Sequence, residues 1–393
     1  MKTAGKEKAG LCPIVTSFFV LTVLCISLTQ LAFGMDEPGF ETARDDTELS
    51  LVVGDEIDDA ELSAPAFDAR KVIVDHVLDT YGWDLFDIRG YNVSIPLPVI
   101  LIYEKQFFVF SSSRLTSGNG VYRGFGIAAE GPSKGRIVKV GEDGVTPDPE
   151  ASTIYDFSIT KNVASIFIAS ALICFLFISI GRRYQKGGVH ATPKGLPAFF
   201  EPLIVFVRDQ IAILAIGPDY HRFMPYLLTV FFFIFLNNLM GLVPVFPGGS
   251  NVTGNISVTF VLAMFTFFTT HWFANREYWK HMFNMPGVPI FLKFPVPIMP
   301  VIEIAGALIK PFVLMIRLFA NMTAGHMVIL SLTSLIFVLG SVSLFMGYVI
   351  APVSVLFLVF LNFLKILVAF LQAYIFTLFS AFFFGMAVPK GSH

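Results

Sequence analysis

Two apolar stretches, residues 296–338 and 342–388, each run for more than 40 residues with hardly a charge. At a rise of 1.5 Å per residue, each makes a helix roughly 65 Å long, about twice the thickness of a bilayer's hydrocarbon core. Neither fits as an ordinary upright span. Each must either fold back on itself or cross at a steep tilt, and the clear turn signal, "LGS" at 339–341, falls between them. The pattern predicts two long, inclined helices forming a hairpin, with Pro311 and Pro352 as kink sites.

The rest of the chain fits an all-α polytopic membrane protein with a small β-rich exported module in front. A composition that is 55% hydrophobic and 14% charged excludes a soluble globular protein. Upright spans are expected at about 162–181, 225–244 and 256–274, each long enough to cross as a helix. Arg182, Arg183, Lys186 and Lys194 follow the first span, and Arg276, Lys280 and Lys293 follow the third, whereas the 245–255 loop has no Lys or Arg. The positive-inside rule makes the basic segments cytoplasmic and the N-terminal module periplasmic. With the long pair this gives five crossings and a cytoplasmic C-terminus bearing Lys390. "LPAFFEPLIVFVRDQIAILAIG" (about 197–216) reads as a helix on the cytoplasmic surface, with a packed non-membrane helix as the alternative.

Ahead of the membrane domain (161–393), residues 1–34 have the layout of a secretory signal peptide: Lys2, Lys6 and Lys8, an apolar run, then small residues at Ala32 and Gly34. An uncleaved first transmembrane helix is the competing reading. Residues 35–160 form the exported part. Of the chain's 29 acidic residues, 23 lie between Asp36 and Asp156, which marks a solvated arm. The arm leads to a helix-like "VIVDHVLDTYGW" and then to short β-prone runs separated by Gly, Ser and Pro. No catalytic, metal, cofactor or nucleic-acid motif emerges, and Cys174 is the lone cysteine beyond the signal segment.

Function is concentrated in the polar residues of the long helices. Arg317 cannot shed its proton, and holding it at mid-membrane costs about 2.5 to 3.5 kcal/mol. Asn321 lies one turn on, and Glu303 shares the stripe but is four turns away, too far to pair. The counter-charge must come from another polypeptide. Asn362, Lys365 and Gln372 share one face of the second helix and complete, with His326, a set suited to a proton or ion path.

"KPFVLMIRLFANMTAGH" together with "FLQAYIFTLFSAFF" resembles subunit a of F-type ATP synthases, of a Bacteroidetes- or Chlorobi-like branch. The likeness covers roughly residues 160–388, with weaker matches in "FLNNLMGLVP", "EPLIVFVRDQIA" and "GNISVT". It implies a non-catalytic subunit of the bacterial inner membrane that needs no cofactor. Its partners would be a ring of c subunits with a carboxylate opposite Arg317, the b-subunit stalk, the other synthase subunits and membrane lipid. Two aqueous half-channels would carry protons to and from the ring. Asn321 and Gln372 match polar residues near the arginine, Glu303 an acid of the cytoplasmic half-channel, and His326 a position of the outer one. Lys365 departs from the expected Glu or His and either relays protons or snorkels to an interface. Gly241 replaces an acid that some relatives carry at the channel mouth, leaving Asn237 and Asn238 to line it. The exported module would cap the periplasmic side or touch the stalk. The competing function is a secondary transporter with Arg317 as the clamp for a small anion, although the internal repeat it predicts is not visible.

Overall fold

The computed structural model describes residues 79–88, 91–116, 120–128, 135–141, 148, 154–187, 195–243, 246–283 and 298–387. The expected signal segment and the acidic arm up to residue 78 lie outside them, as do Lys194, Lys293 and Lys390.

The N-terminal unit is built of short antiparallel strands. β1 (Gly82–Ile88) pairs with β2 (Tyr91–Pro96), and β3 (Pro98–Tyr103) pairs with β4 (Gln106–Ser111). These are two separate sheets; a further sheet joins β5 (Val121–Tyr122), β6 (Phe125–Ile127) and β7 (Ile137–Lys139), while β8 (Tyr155–Asp156) extends the second by returning to the free edge of β3. The β3–β4 turn places Glu104 and Lys105 at φ 51° and 63°, the left-handed pair that matches the twist of a two-residue hairpin. Strand alternation then sends Val99 and Leu101 inward against Phe110, Phe125 and Ile137. Within "VIVDHVLDTYGW", the expectation of a helix fails at its last residues: Gly82 and Trp83 begin β1, because Ile95 and Pro96 offer them a strand partner.

Hydrogen bonds and a ring contact tie this unit to the membrane domain. Thr160 opens α1 (Lys161–Gly187), its hydroxyl accepting from Val163 N at 3.4 Å. Lys161 N donates to Thr80 O at 2.9 Å, and Asn162 N donates to Asp79 Oδ1 at 3.1 Å. Beyond the cap, the Trp83 ring meets Phe246 edge-on at 5.1 Å. Burial raises the Asp79 carboxyl to about 6, outweighing the hydrogen bonds from Thr160 and Asn162 that pull it down.

In the membrane domain, α2 (Leu196–Phe206) continues through a π-helical stretch (Val207–Ala212) into α3 (Ile213–Ile216). There follow α4 (Tyr220–Leu242), α5 (Ile256–Trp272), α6 (Arg276–Phe283), α7 (Ile298–Val342) and α8 (Leu344–Ala387). Helix α4 is the hub: Leu227, Val230, Phe231, Phe233 and Ile234 are wholly buried. The α2–α3 segment packs rather than floats, since Val207, Ile211 and Ala212 are fully buried and Phe206 meets Phe370 and Tyr374 of α8.

Among the described residues, four helices (α1, α4, α7 and α8) are long and apolar enough to cross a membrane. The bent pair α5–α6, turning through 105°, makes a fifth if it counts as one span. Contacts between α7 and α8 run in opposite senses, Lys310 beside Phe383, Arg317 beside Phe379 and Gly325 beside Lys365. The break falls at Ser343, past the expected 339–341, because Ser343 N still donates to Leu339 O at 3.1 Å and carries the helix through the glycine. Neither Pro311 nor Pro352 interrupts its helix. Leu314, Met315, Leu318 and Met322 form the inward stripe of α7, while Ile302, Phe312, Val313 and Ile316 face outward. Only 11% of the most apolar window of α7, and of α8, is buried within this chain.

Candidate functional site

The polar residues of α7 fall into two groups, one on each side of Arg317. Arg317 is exposed on the isolated chain, with its guanidinium 5.9 Å from the centre of the Phe379 ring. Among the described residues it has no carboxylate within ion-pair distance. Asn321, one turn on, is also exposed.

Toward the C-terminal end of α7 lies a small, partly open cavity, lined among others by Asn238, Asn321, Met322, Gly325, Lys365 and Gln372. Asn238 is its organiser. Its Nδ2 donates to Gln372 Oε1 at 2.7 Å, and its Oδ1 accepts from the Thr253 hydroxyl. Thr323 Oγ1 reaches the Gly254 carbonyl at 3.4 Å, so the short 3₁₀ turn Val252–Gly254 closes this end. Gln372 Nε2 and Lys365 Nζ are buried and make no hydrogen bond among the described residues. Lys365 fits because residue 325 is glycine: a Cβ there would stand 2.9 Å from Lys365 Cε.

His326 is half-buried beside this cavity, its Nε2 near Gly241. A Cβ at position 241 would lie 2.6 Å from Met322 Cε and 2.9 Å from Ser250 O, so an acid has no room there. Asn237 and Asn238 do not form an open mouth; both are 1% exposed. Asn237 Nδ2 turns back to its own helix at Phe233 O, 2.8 Å away. Asn362 behaves likewise, donating to Leu358 O at 3.0 Å, and stands apart from the residues lining the cavity.

Toward the N-terminal end of α7, Glu303 lines a second, open cavity with Phe267, Thr270, His271, Tyr278, Ala307, Lys310, Pro311, Phe383 and Met386. The α5–α6 bend delivers His271 and Tyr278 to this wall. Sequence reasoning missed His271 and Tyr278, and also Thr253. The histidine within "FFTTHWFA" was a signal that pointed there.

Chemically, the two cavities hold groups that exchange or orient protons, separated by one permanently charged side chain. Among the described residues no cluster of three or more His, Cys, Asp or Glu could hold a metal ion.

The model of the family described as ATP synthase A chain matches residues 163–385, and a second model, "Domain of unknown function (DUF8433)", matches residues 72–157. A protein named ATP synthase subunit a from Chloroherpeton thalassium is 46% identical over 243 residues, covering 61% of this chain and 69% of the relative. One of the same name from Chlorobium phaeobacteroides is 43% identical over 245 residues, covering 61% and 68%. ATP synthase subunit a 2 from Prosthecochloris aestuarii is 44% identical over 245 residues, covering 61% and 71%.

Proposed function

This chain belongs to the ATP synthase A chain family, and from that premise we propose how it moves protons. It is an integral membrane protein and a proton-translocating stator subunit, working with the other subunits of an F-type ATP synthase. In our reading it sits in a bacterial inner membrane, and ATP is made in a soluble head outside this chain.

The observation that carries the mechanism is the placement of two separate polar cavities on either side of an exposed Arg317 that has no acid partner among the described residues. The exposed face of α7 and α8 is where the ring of c subunits docks, presenting one carboxylate at a time. A ring acid arriving opposite Arg317 meets a fixed positive charge in a low dielectric, which favours its ionised form and expels its proton. The same charge repels a proton attempting to pass directly from one cavity to the other. Protons therefore cross only by riding the ring, and each charge falling through 100 mV supplies about 2.3 kcal/mol to rotation.

The cavity of Asn238, Asn321, Lys365 and Gln372, with His326 beside it, is the outer half-channel. Its contacts run to Thr253 and Gly254 in the loop that has no Lys or Arg. The cavity of Glu303 is the cytoplasmic half-channel, since α6, with Arg276 and Lys280, supplies its wall. Asn362 sits at the periphery. The two-helix face is inclined so that one ring acid samples both cavities in turn, and the periplasmic strand unit stands over the outer side.

Inverted vesicles holding the whole complex test this. With Arg317→Ala, ATP-driven acidification is lost while the complex remains assembled. Undiminished pumping by that variant refutes the mechanism.

A further inference from the structure

We infer that His271 is the proton-exchanging group at the mouth of the Glu303 cavity, handing protons between the bath and the carboxyl through its Nε2. This rests on the stator reading above but assigns a residue which that reading did not use. His271 Nδ1 lies 2.8 Å from the Phe267 carbonyl oxygen. A carbonyl only accepts, so Nδ1 carries the hydrogen and the neutral ring keeps its lone pair on Nε2. The ring is held in place by Phe267 at 4.0 Å, Tyr278 at 5.8 Å and Trp279 at 5.6 Å between centroids.

The groups facing this imidazole decide what it can do. To the cavity lining it shares, α6 contributes Tyr278, α7 contributes Glu303 and Lys310, and α8 contributes Phe383 and Met386. Glu303 is the one carboxylate among these and so the acceptor for a proton leaving the imidazole, and Lys310 repels excess positive charge from the cavity. A half-buried imidazole in the lining of an open cavity that also holds a carboxylate suits a collector that loads from water and discharges inward. The proton arrives on Nε2 from hydronium or buffer and leaves from the same atom toward Glu303, so the ring returns to its starting tautomer without flipping.

The test is ATP-driven acidification of inverted vesicles, whose bath bathes the cytoplasmic face, with the complete complex. His271→Gln keeps an amide donor but no titrating group. Its pumping should fall roughly tenfold at a bath pH of about 8 and little at about 6, with added imidazole restoring the loss. Where His271→Gln assembles poorly, His271→Ala replaces it and imidazole rescue is the readout. A wild-type rate at both pH values, or a loss that is uniform with pH and unrescued, overturns the assignment. Arg317→Ala in parallel separates the levels: if it abolishes pumping the stator reading stands regardless, and if it pumps normally both readings fall.

Discussion

The joint between strand unit and first span carries a pH dependence that can be worked out from one carboxyl. Burial pushes the Asp79 carboxyl up to about 6 in the folded chain from its ordinary value of 3.8, because it disfavours the charged form more than Thr160, Asn162 and Lys161 support it. A raised acid binds its proton more tightly when folded. The joint is therefore most stable below pH ~4, loses stability as pH rises through ~6, and is weakest above that. The difference of roughly two pH units corresponds to about 3 kcal/mol at most, or up to about a hundredfold in the local opening constant. Asp79→Asn keeps an oxygen for Asn162 N and removes the titration. Hydrogen–deuterium exchange of residues 79–83 and 154–163 in the intact complex reads it directly. After correction for the intrinsic pH dependence of exchange, the wild-type joint should open more at pH ~7.5 than at ~4.5, and Asp79→Asn should open equally at both. Identical protection of the wild-type joint at the two pH values refutes the reasoning.

The other predictions concern packing. Asn238→Ala strips partners from Gln372 Oε1 and the Thr253 hydroxyl, each left buried at about 1 to 3 kcal/mol, and should lower the unfolding temperature of the purified complex as well as its proton conductance. Gly325→Ala displaces the far end of the Lys365 side chain, so it should cost less than about 1 kcal/mol in stability while altering proton conductance; adding Lys365→Ala should remove the coupling, measurable by a double-mutant cycle. Phe246→Ala removes the edge-on contact with Trp83, worth about 0.5 to 1.5 kcal/mol beyond burial, and should change Trp83 fluorescence while leaving ATP-driven pumping intact.

What the chain discloses without its structure follows from the range of each interaction. The long helices are legible because hydrophobic length is a local property, and Arg317 stands out because a charge in a greasy run is costly wherever it lies. The inward stripe Leu314, Met315, Leu318 and Met322 follows helical periodicity in the same way. The pairing of Asn238 with Gln372 spans 134 residues, and nothing near either asparagine or glutamine announces it. The fit of Lys365 against Gly325 depends on how two helices settle together, which sequence spacing does not set. The bend that brings His271 and Tyr278 to Glu303 is likewise tertiary: it appears in sequence only as "ANRE" between two helical runs. Even the β3–β4 turn was obscured locally, because Glu104 and Lys105 take the left-handed conformation usually marked by glycine or asparagine.

The most direct measurement is the distance from the Arg317 guanidinium to the nearest carboxylate in a structure of the whole membrane-embedded complex. We expect this carboxylate to belong to a c-ring subunit, within about 4 Å or bridged by one water in at least one rotary position. A guanidinium found among lipid headgroups, or already paired with an acid of its own chain, contradicts it.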